Sequence, residues 1–275
     1  MRALPRMTTR IKLWPFFALL FVVAFPCSAQ LKIIPTPRAE IFAGNPAVIE
    51  VRIHNPGAGG VFQILTQLVQ SSASLAAPVS KRGSWKTVSI SSNQTVLEEI
   101  QVVSPPVRAA TPFSIIYSVE NRNFGQTGFV AHPTNLLSAL ARETEQTPIA
   151  LIGVANVLNA ALETVGVQKM SAASPEGVPD KVRAIIVVDQ TVEEQRLAEL
   201  LKLADKRATG LIWFRPLREA ALISVPTGRG RVIMAPLEWL SSIGSLPRSQ
   251  LNLVRALQLA HASSSDELNQ ILNSR

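Results

Sequence analysis

The amino-acid sequence predicts a β domain followed by an α/β domain, both behind an N-terminal export signal. Three patterns predict this order. The first 29 residues are basic and then apolar, the residues from Leu31 to about Pro133 alternate between apolar and polar side chains, and the remainder alternates apolar runs with stretches of helical periodicity. We therefore divide the chain into residues 1–29, 30–133 and 134–275.

The N-terminus has the arrangement of a secretory signal peptide. Four basic residues precede an apolar run from Leu13 to Phe25, and small residues then lead to a cleavage site between Ala29 and Gln30. About 13 apolar residues is short for the roughly 20 that a membrane-spanning helix needs, and no later stretch approaches that length. The sequence predicts a periplasmic or secreted protein with no membrane span after cleavage; a retained signal anchor is the alternative.

Charge and cysteine content exclude several classes of function. The formal net charge is +8, but four of the 27 basic residues lie in residues 1–29, which hold no acidic residue, so the rest of the chain carries 23 basic against 19 acidic side chains. This near balance removes the main argument for nucleic-acid binding. The one cysteine, Cys27, leaves with the signal, so the mature chain would have no thiol nucleophile, thiolate metal site or disulfide.

Residues 30–133 have the period of two that is typical of half-buried strands. The clearest run is residues 47–53, which ends at the turn signal Asn55-Pro56-Gly57. The pattern recurs at residues 62–68, 86–90, 96–102 and 113–119, with Gly, Pro and Asn between the runs. Six or seven short strands without a helix over about 100 residues predict an antiparallel, immunoglobulin-like β-sandwich.

Residues 134–275 alternate helical and strand patterns. A helix is predicted over residues 134–145, followed by a buried strand at 149–154, a helix at 157–165, a short strand at 167–170 and a strand at 184–189. The capping box Thr191 to Glu194 opens the next helix. A strand at 210–214, a hairpin pairing 221–225 with 231–235, a helix around 253–260 and a last turn at Asp266 complete a flavodoxin-like three-layer α/β domain.

This succession carries a resemblance to a known family. Together with Gly228-Arg229-Gly230-Arg231-Val232-Ile233 before the closing helix, residues 147–262 resemble the class I glutamine amidotransferase-like domains of exported bacterial proteins, which often follow a β-sandwich. The resemblance implies a catalytic cysteine on a strand-to-helix turn, supported by a His and a Glu. Here the turn after Phe214 reads Arg215-Pro216-Leu217-Arg218 and no cysteine follows Cys27, so we expect a degenerate domain without amidotransferase activity.

Other catalytic signatures are also missing from the sequence. His54, His132 and His261 lie far apart and lack the spacing of metal ligands, so we expect no metal site and structural roles for all three. The chain contains no GxSxG elbow, GxGxxG loop or Walker motif, and we expect no cofactor.

Three candidate ligand sites remain, each with a simpler structural explanation. An open parallel sheet binds ligands at the carboxyl ends of its strands, where Asn156, Asp189 and Arg215 could hold a small polar ligand; helix capping, strand termination and surface ion pairing are the alternatives. The turn Gly228-Arg229-Gly230-Arg231 could bind an anion, but a hairpin turn would require the same glycines for positive φ. The basic segment from Lys81 to Lys86, which contains Trp85, could contact a glycan or an anion; the alternative is a solvated turn that leads into a strand, with Trp85 partly in the core.

These observations favour an exported, non-catalytic binding or assembly protein of the bacterial cell envelope. Its partner would be an envelope protein, a glycan or a small polar ligand. The alternative is a carboxylate-dependent hydrolase or carbohydrate-active enzyme using Asp189 with Glu194 or Glu238. A pair of carboxylates in a deep cleft would favour the enzyme, and a flat apolar face around Trp213, Phe214 or Trp239 would favour a partner.

Overall fold

The computed structural model describes residues 31–71, 76–153, 155–174, 177–188, 194–217 and 221–261. The fold is mixed and β-rich, with several sheets and a few helices. The predicted signal peptide, the residues Asp189 and Thr191, and the predicted turn at Asp266 lie outside the described residues, as do the side chains of residues 194–197. No helix in the described ranges is long and apolar enough to cross a membrane.

Nine strands form the N-terminal half where the structure describes it. They are β1 (Lys32–Ile34), β2 (Ala39–Phe42), β3 (Pro46–His54), β4 (Gly60–Ser71), β5 (Ala76–Pro78), β6 (Gly83–Ile90), β7 (Thr95–Val103), β8 (Thr111–Val119) and β9 (Arg122–His132). One sheet has the order β1-β3-β7; the other has the order β2-β9-β8-β4-β5, with β6 also paired to β4. All five patterned runs lie within strands, namely β3, β4, β6, β7 and β8, and every pairing is antiparallel except that of β2 with β9.

The two N-terminal sheets share one apolar core. Alternation in β3 buries Ile49, Val51 and Ile53 and leaves Val48 exposed, because successive side chains of a strand point to opposite faces. The other sheet contributes Phe113 and further side chains from β8 and β9, including Ile115, Tyr117 and Phe129. Trp85 packs on this core, with its ring centroid 5.6 Å from that of Tyr117, which agrees with the structural explanation of its segment.

Within its described residues, the C-terminal half contains a six-stranded sheet and five helices. The elements are α1 (Ser138–Thr144), β10 (Ile149–Ile152), α2 (Asn156–Thr164), β11 (Lys169–Ala172), β12 (Ala184–Val188), α3 (Glu194–Arg207), β13 (Gly210–Arg215), β14 (Ile223–Pro226), β15 (Arg231–Pro236), α4 (Glu238–Ser241) and α5 (Pro247–His261). The strand order is β11-β10-β12-β13-β15-β14. All neighbours are parallel except β14 and β15, which form the predicted hairpin.

Apolar side chains cover both faces of this sheet. On one face, Ile186 and Phe214 pack with residues of α1, α2, α4 and α5; on the other, Val187 and Trp213 pack with residues of α3. Burial on both faces explains why these strands are continuous apolar runs instead of alternating ones. Helix α5 also contacts β2, so it touches the N-terminal half as well.

Boundaries differ from the predicted ones at several elements. Helix α1 is shorter than residues 134–145, and α4 was not predicted. Strand β11 begins at Lys169, not at Val167, because Gly166 and Val167 close helix α2: Gly166 has φ +76° and its N–H donates to Glu163 O (3.0 Å), while Val167 N–H donates to Leu162 O (3.0 Å).

Candidate binding cleft

The parallel strands end at one edge, where the sequence places its candidate residues. Strand β10 leads to Gly153, β13 ends at Arg215 and β15 ends at Pro236. The backbone is tightly packed here: Gly153 has φ +94°, and a Cβ at this position would lie 2.1 Å from Val188 O at the end of β12. Glycine is therefore required at this turn for both conformation and space.

Two of the three residues predicted to bind a small polar ligand, Asn156 and Arg215, are described, and each has separate surroundings. Asn156 is the first residue of α2; its side chain is exposed and makes no capping hydrogen bond, so the capping alternative is not observed. Arg215 lies with its guanidinium carbon 4.5 Å from the ring centroid of Trp213, a cation–π contact that can hold the side chain without a ligand. No hydrogen bond or ion pair within the described ranges links Asn156 to Arg215.

An open cleft of about 870 Å³ lies beside this edge, within the 300–1,000 Å³ typical of small-molecule sites. It is bounded by the segments that follow β13, by α4 and by the first half of α5. Its lining residues are Leu217, Ala221, Leu222, Glu238, Trp239, Ser242, Leu246, Arg248, Ser249, Asn252 and Arg255. Segments far apart in sequence thus form one concave surface at the carboxyl edge of the sheet.

Helices α4 and α5 supply the polar groups of the cleft. Arg248, Asn252 and Arg255 have the spacing i, i+4, i+7 and share one face of α5. At the junction of the two helices the Ser242 and Ser249 hydroxyls lie 2.8 Å apart, within hydrogen-bond distance. Apolar surface comes from Trp239, which is half-buried against the core of the sheet, and from leucines.

The glycine-rich hairpin turn makes its hydrogen bonds within the protein. The N–H of Arg229 donates to Asp205 Oδ1 (2.7 Å), and the N–H of Gly230 donates to Thr227 Oγ1 (2.7 Å). Neither Gly228 nor Gly230 has a positive φ, so the explanation based on turn conformation is wrong. The glycines instead permit close packing on α3, since a Cβ on Gly230 would lie 2.3 Å from Ala204 O.

A flat apolar face around Trp213, Phe214 or Trp239 was expected if the protein binds a partner, and the structure supports this only in part. Trp213 and Phe214 are completely buried in the two cores of the α/β half and present no face to a partner. Trp239 is half-buried and lines the cleft. One carboxylate, that of Glu238, is found among the described lining residues. Glu194 has no described side chain, and Asp189 lies outside the described ranges.

The three histidines lie outside the cleft lining. His54 ends β3, as predicted, and its Nδ1 lies 3.1 Å from Thr95 Oγ1. Burial lowers the pKa of His132, against a smaller opposing effect of Glu40. Burial and then Arg183 lower the pKa of His261, at the end of α5, while Glu143 opposes the shift. Within the described part of the chain, no three His, Cys, Asp or Glu residues are grouped so that they could hold a metal ion.

Sequence reasoning named Glu238 and Trp239 but missed the contribution of α5 to the cleft. The signal was present as a polar stripe, Arg248, Asn252 and Arg255, opposite the buried Leu253, Ala256 and Leu257. A polar stripe on an amphipathic helix ordinarily faces solvent, so the pattern alone does not distinguish a binding surface from a solvated one.

No protein-family model matches the chain, and no curated protein sequence does. Three solved structures that it resembles are all remote. A β-glucosidase from Erythrobacter marinus has a TM-score of 0.30 and 14% identity over 38% of this chain and 15% of that one. The alkylpurine DNA glycosylase AlkC of Pseudomonas fluorescens, bound to DNA containing an abasic site analog, has a TM-score of 0.30 and 13% identity over 38% of this chain and 31% of that one. A β-glucosidase from Listeria innocua, in complex with glucose, has a TM-score of 0.29 and 14% identity over 38% and 16%.

This chain covers less than a third of the length of each of these proteins. TM-scores of this size do not establish a shared fold, and nothing about function follows from them.

Proposed function

We propose that the chain is an exported, non-catalytic binding protein of the bacterial cell envelope, and that the cleft at the carboxyl edge of the parallel sheet is its binding site. The observation that carries the proposal is the position of the cleft. In open α/β sheets, ligands bind outside the carboxyl ends of the strands, and this cleft lies beside the ends of β13 and β15. Its size and its mixture of aromatic, aliphatic and polar residues suit a small ligand.

Strand order supports the finer assignment of the α/β half. Counted along the chain, its parallel strands lie in the order second, first, third, fourth, fifth, which is the order of flavodoxin-like domains. On this basis we propose a degenerate class I glutamine amidotransferase-like domain. The segment after β13 begins with Pro216 and Leu217, where that family would carry its cysteine. We therefore propose that the carboxyl edge of the sheet binds a ligand and does not catalyse the amidotransferase reaction.

The arrangement of the N-terminal strands supports an immunoglobulin-like assignment of the other half. Two sheets of three and six strands enclose one core, and β6 and β7, consecutive in sequence, belong to different sheets. Such crossing connections are typical of immunoglobulin-like sandwiches. We propose that this half supports or spaces the α/β half and contributes the surface for an envelope protein, as an assembly role would require.

Ligand-induced stabilisation tests the proposal. The purified chain would be melted with neutral sugars, acidic sugars, amino acids and dicarboxylates, beside Trp239→Ala and the control Leu97→Ala, which alters an exposed side chain on β7 far from the cleft lining. We expect at least one class to raise the Tm of the parent and of Leu97→Ala but not of Trp239→Ala, with the compound recovered unchanged. Equal responses of all three proteins would overturn the cleft as the site.

A carboxylate-dependent enzyme is the second candidate, because Glu238 lies in the cleft beside an aromatic side chain. In that case the compound that stabilises the chain would be consumed, and Glu238→Gln would abolish turnover while binding persisted. Recovery of unchanged compound from the parent protein separates the two candidates.

A further inference from the structure

We infer that the cleft takes a small organic monoanion, a carboxylate carried on a sugar or aromatic ring. The inference rests on the proposed function, since it names the ligand class of the same cleft. It depends on the distribution of charge and apolar surface over the walls.

The positive wall is the exposed side of helix α5. Arg248 is exposed, and no described residue accepts a hydrogen bond from its guanidinium, so its donors can reach a ligand. Asn252 lies one turn further along the same face and adds an amide that can both donate and accept. An arginine fork matches the two oxygens of a carboxylate in geometry as well as in charge.

The position of α5 strengthens the attraction for an anion. The helix has 15 residues and begins at Pro247, so Arg248 and Ser249, both in the cleft lining, belong to its first turn. The partial positive charge of a helix N-terminus therefore lies on the same wall as Arg248. Both contributions have the same sign.

The apolar part of the lining suits a ring. Trp239 of α4, Leu217, Leu222 and Leu246 supply aromatic and aliphatic surface to the cleft. A bare inorganic anion would leave this surface unused, whereas a ring bearing a carboxylate would cover it.

Glu238, the carboxylate among the described lining residues, favours a monoanion over a phosphate. A phosphate carries nearly two negative charges, so Glu238 repels it more strongly than it repels a carboxylate. Glu238 is exposed at the start of α4, where it can accept hydrogen bonds from ring hydroxyls.

Two pairs of probes that differ in charge test the inference. Isothermal titration of the purified chain would compare glucuronate with glucose, and benzoate with benzamide, with inorganic phosphate as a further arm. We expect glucuronate or benzoate to bind at least about tenfold more tightly than its neutral counterpart and than phosphate, because the neutral compound cannot form the charge-assisted hydrogen bonds.

Variants then assign the preference to the cleft. Arg248→Gln should lose most of it, and Arg248→Lys should retain part of it because the charge remains without the fork. The matched control is Arg229→Gln, an exposed arginine on the hairpin turn outside the cleft lining, which should bind like the parent. Arg248 is exposed, so unchanged melting temperatures of the variants would confirm that folding is unaffected.

Each contrary result has a distinct meaning. Equal binding of charged and neutral probes, abolished by Trp239→Ala, would overturn the anionic ligand while keeping the cleft. Loss of the preference in Arg229→Gln but not in Arg248→Gln would overturn the inference in favour of the turn. Binding of phosphate as tight as that of the carboxylates, or no binding of any probe, would also overturn it, and the broader screen with Trp239→Ala would still test the proposed function separately.

Discussion

Individual glycines show most clearly how little space the α/β half leaves between its elements. A Cβ at Gly153 would lie 2.1 Å from Val188 O, and a Cβ at Gly210 would lie 2.4 Å from Ala260 O. Both contacts are with backbone atoms, which cannot move aside as the end of a flexible side chain can. These glycines allow strand ends and helix α5 to approach closely.

The first prediction separates lack of space from backbone strain. Gly153→Ala adds a methyl group at φ +94° against a backbone oxygen, whereas Gly166→Ala adds one at φ +76° with no atom within 4 Å. We expect Gly166→Ala to lower the free energy of unfolding by about 1–2 kcal/mol through strain alone, and Gly153→Ala to cost at least about 2 kcal/mol more. Urea unfolding measures both, and equal losses would contradict the required close approach at Gly153.

Two histidines, the buried His132 and the half-buried His261, make stability depend on pH. Burial lowers the folded-state pKa of His132 and of His261, so the unfolded chain binds protons at a higher pH than the folded chain does. Stability is therefore retained above the ordinary pKa of about 6.5 and is lost as the pH falls below it.

The second prediction follows from this sign. The midpoint of urea unfolding should fall between about pH 6.5 and pH 5, and His261→Gln should make that fall shallower, because one of the groups that must lose its proton on folding is gone. His54→Gln, which alters the end of β3, is the control and should leave the slope unchanged. A His261→Gln profile parallel to that of the parent would rule out His261 as a source.

Among the elements, the hairpin of β14 and β15 is held to α3 by hydrogen bonds of two side chains. Asp205, near the end of α3, accepts the N–H of Arg229 in the turn at 2.7 Å, and the Arg229 guanidinium donates to Lys206 O at 3.3 Å. Gly230 packs against the backbone of the same helix turn. The Asp205 carboxylate therefore occupies a turn amide that would otherwise be available to an anion.

The third prediction tests that fastening. Asp205→Ala should destabilise the protein by about 1 kcal/mol, because the turn amide loses its charged acceptor, and Asp205→Asn should cost less because an amide oxygen can still accept. Asp180→Ala is a matched control: it removes an aspartate paired with Arg207, but that aspartate is fully exposed, so little change is expected. Chemical denaturation measures the free energy of unfolding of all three variants. An equal loss in Asp205→Ala and Asp180→Ala would show that the turn contact stabilises the protein no more than an exposed ion pair does.

At the scale of the whole molecule, α5 has three roles. It covers one face of the parallel sheet, it lines the cleft, and it contacts β2 of the N-terminal half. Phe42 of β2 and its register partner His132 are buried although they lie on the face away from the sandwich core. We attribute that burial to α5, which contacts β2 and so connects the two halves.

The fourth prediction concerns this connection. Phe42→Ala should cost about 3 kcal/mol, as large-to-small changes of buried aromatic residues do, and should shift the unfolding of both halves. In a background that carries Trp14→Phe and Trp85→Phe, the remaining Trp213 and Trp239 report on the α/β half alone. A shift confined to the sandwich would contradict the coupling, and Val48→Ala, on an exposed position of β3, should leave both halves unchanged.

Local patterns were sufficient to predict most elements. Alternation of apolar and polar residues predicted β3, β4, β6, β7 and β8, and continuous apolar runs predicted β10, β12 and β13. These predictions succeed because a strand buried on one face alternates in sequence, whereas a strand buried on both faces is apolar throughout. The hairpin of β14 and β15 was also predicted, from its turn residues. Short elements such as α4 and β5 were missed, and so was β9, although it has 11 residues.

The sequence by itself determined the types of its main elements, the change of period near Pro133 and the absence of a cysteine from the proposed mature chain. Only the tertiary structure decided how the strands outside the β14–β15 hairpin pair, why Gly228 and Gly230 are needed, and where the cleft lies. The reason is physical, because periodicity reports only the environment of each residue along the chain. The cleft, by contrast, is formed by the segment after β13 together with α4 and α5. Gly228 and Gly230 are required because they pack against α3, which precedes them in sequence. Contacts over such separations leave no period in the chain, so they appear only when it is folded.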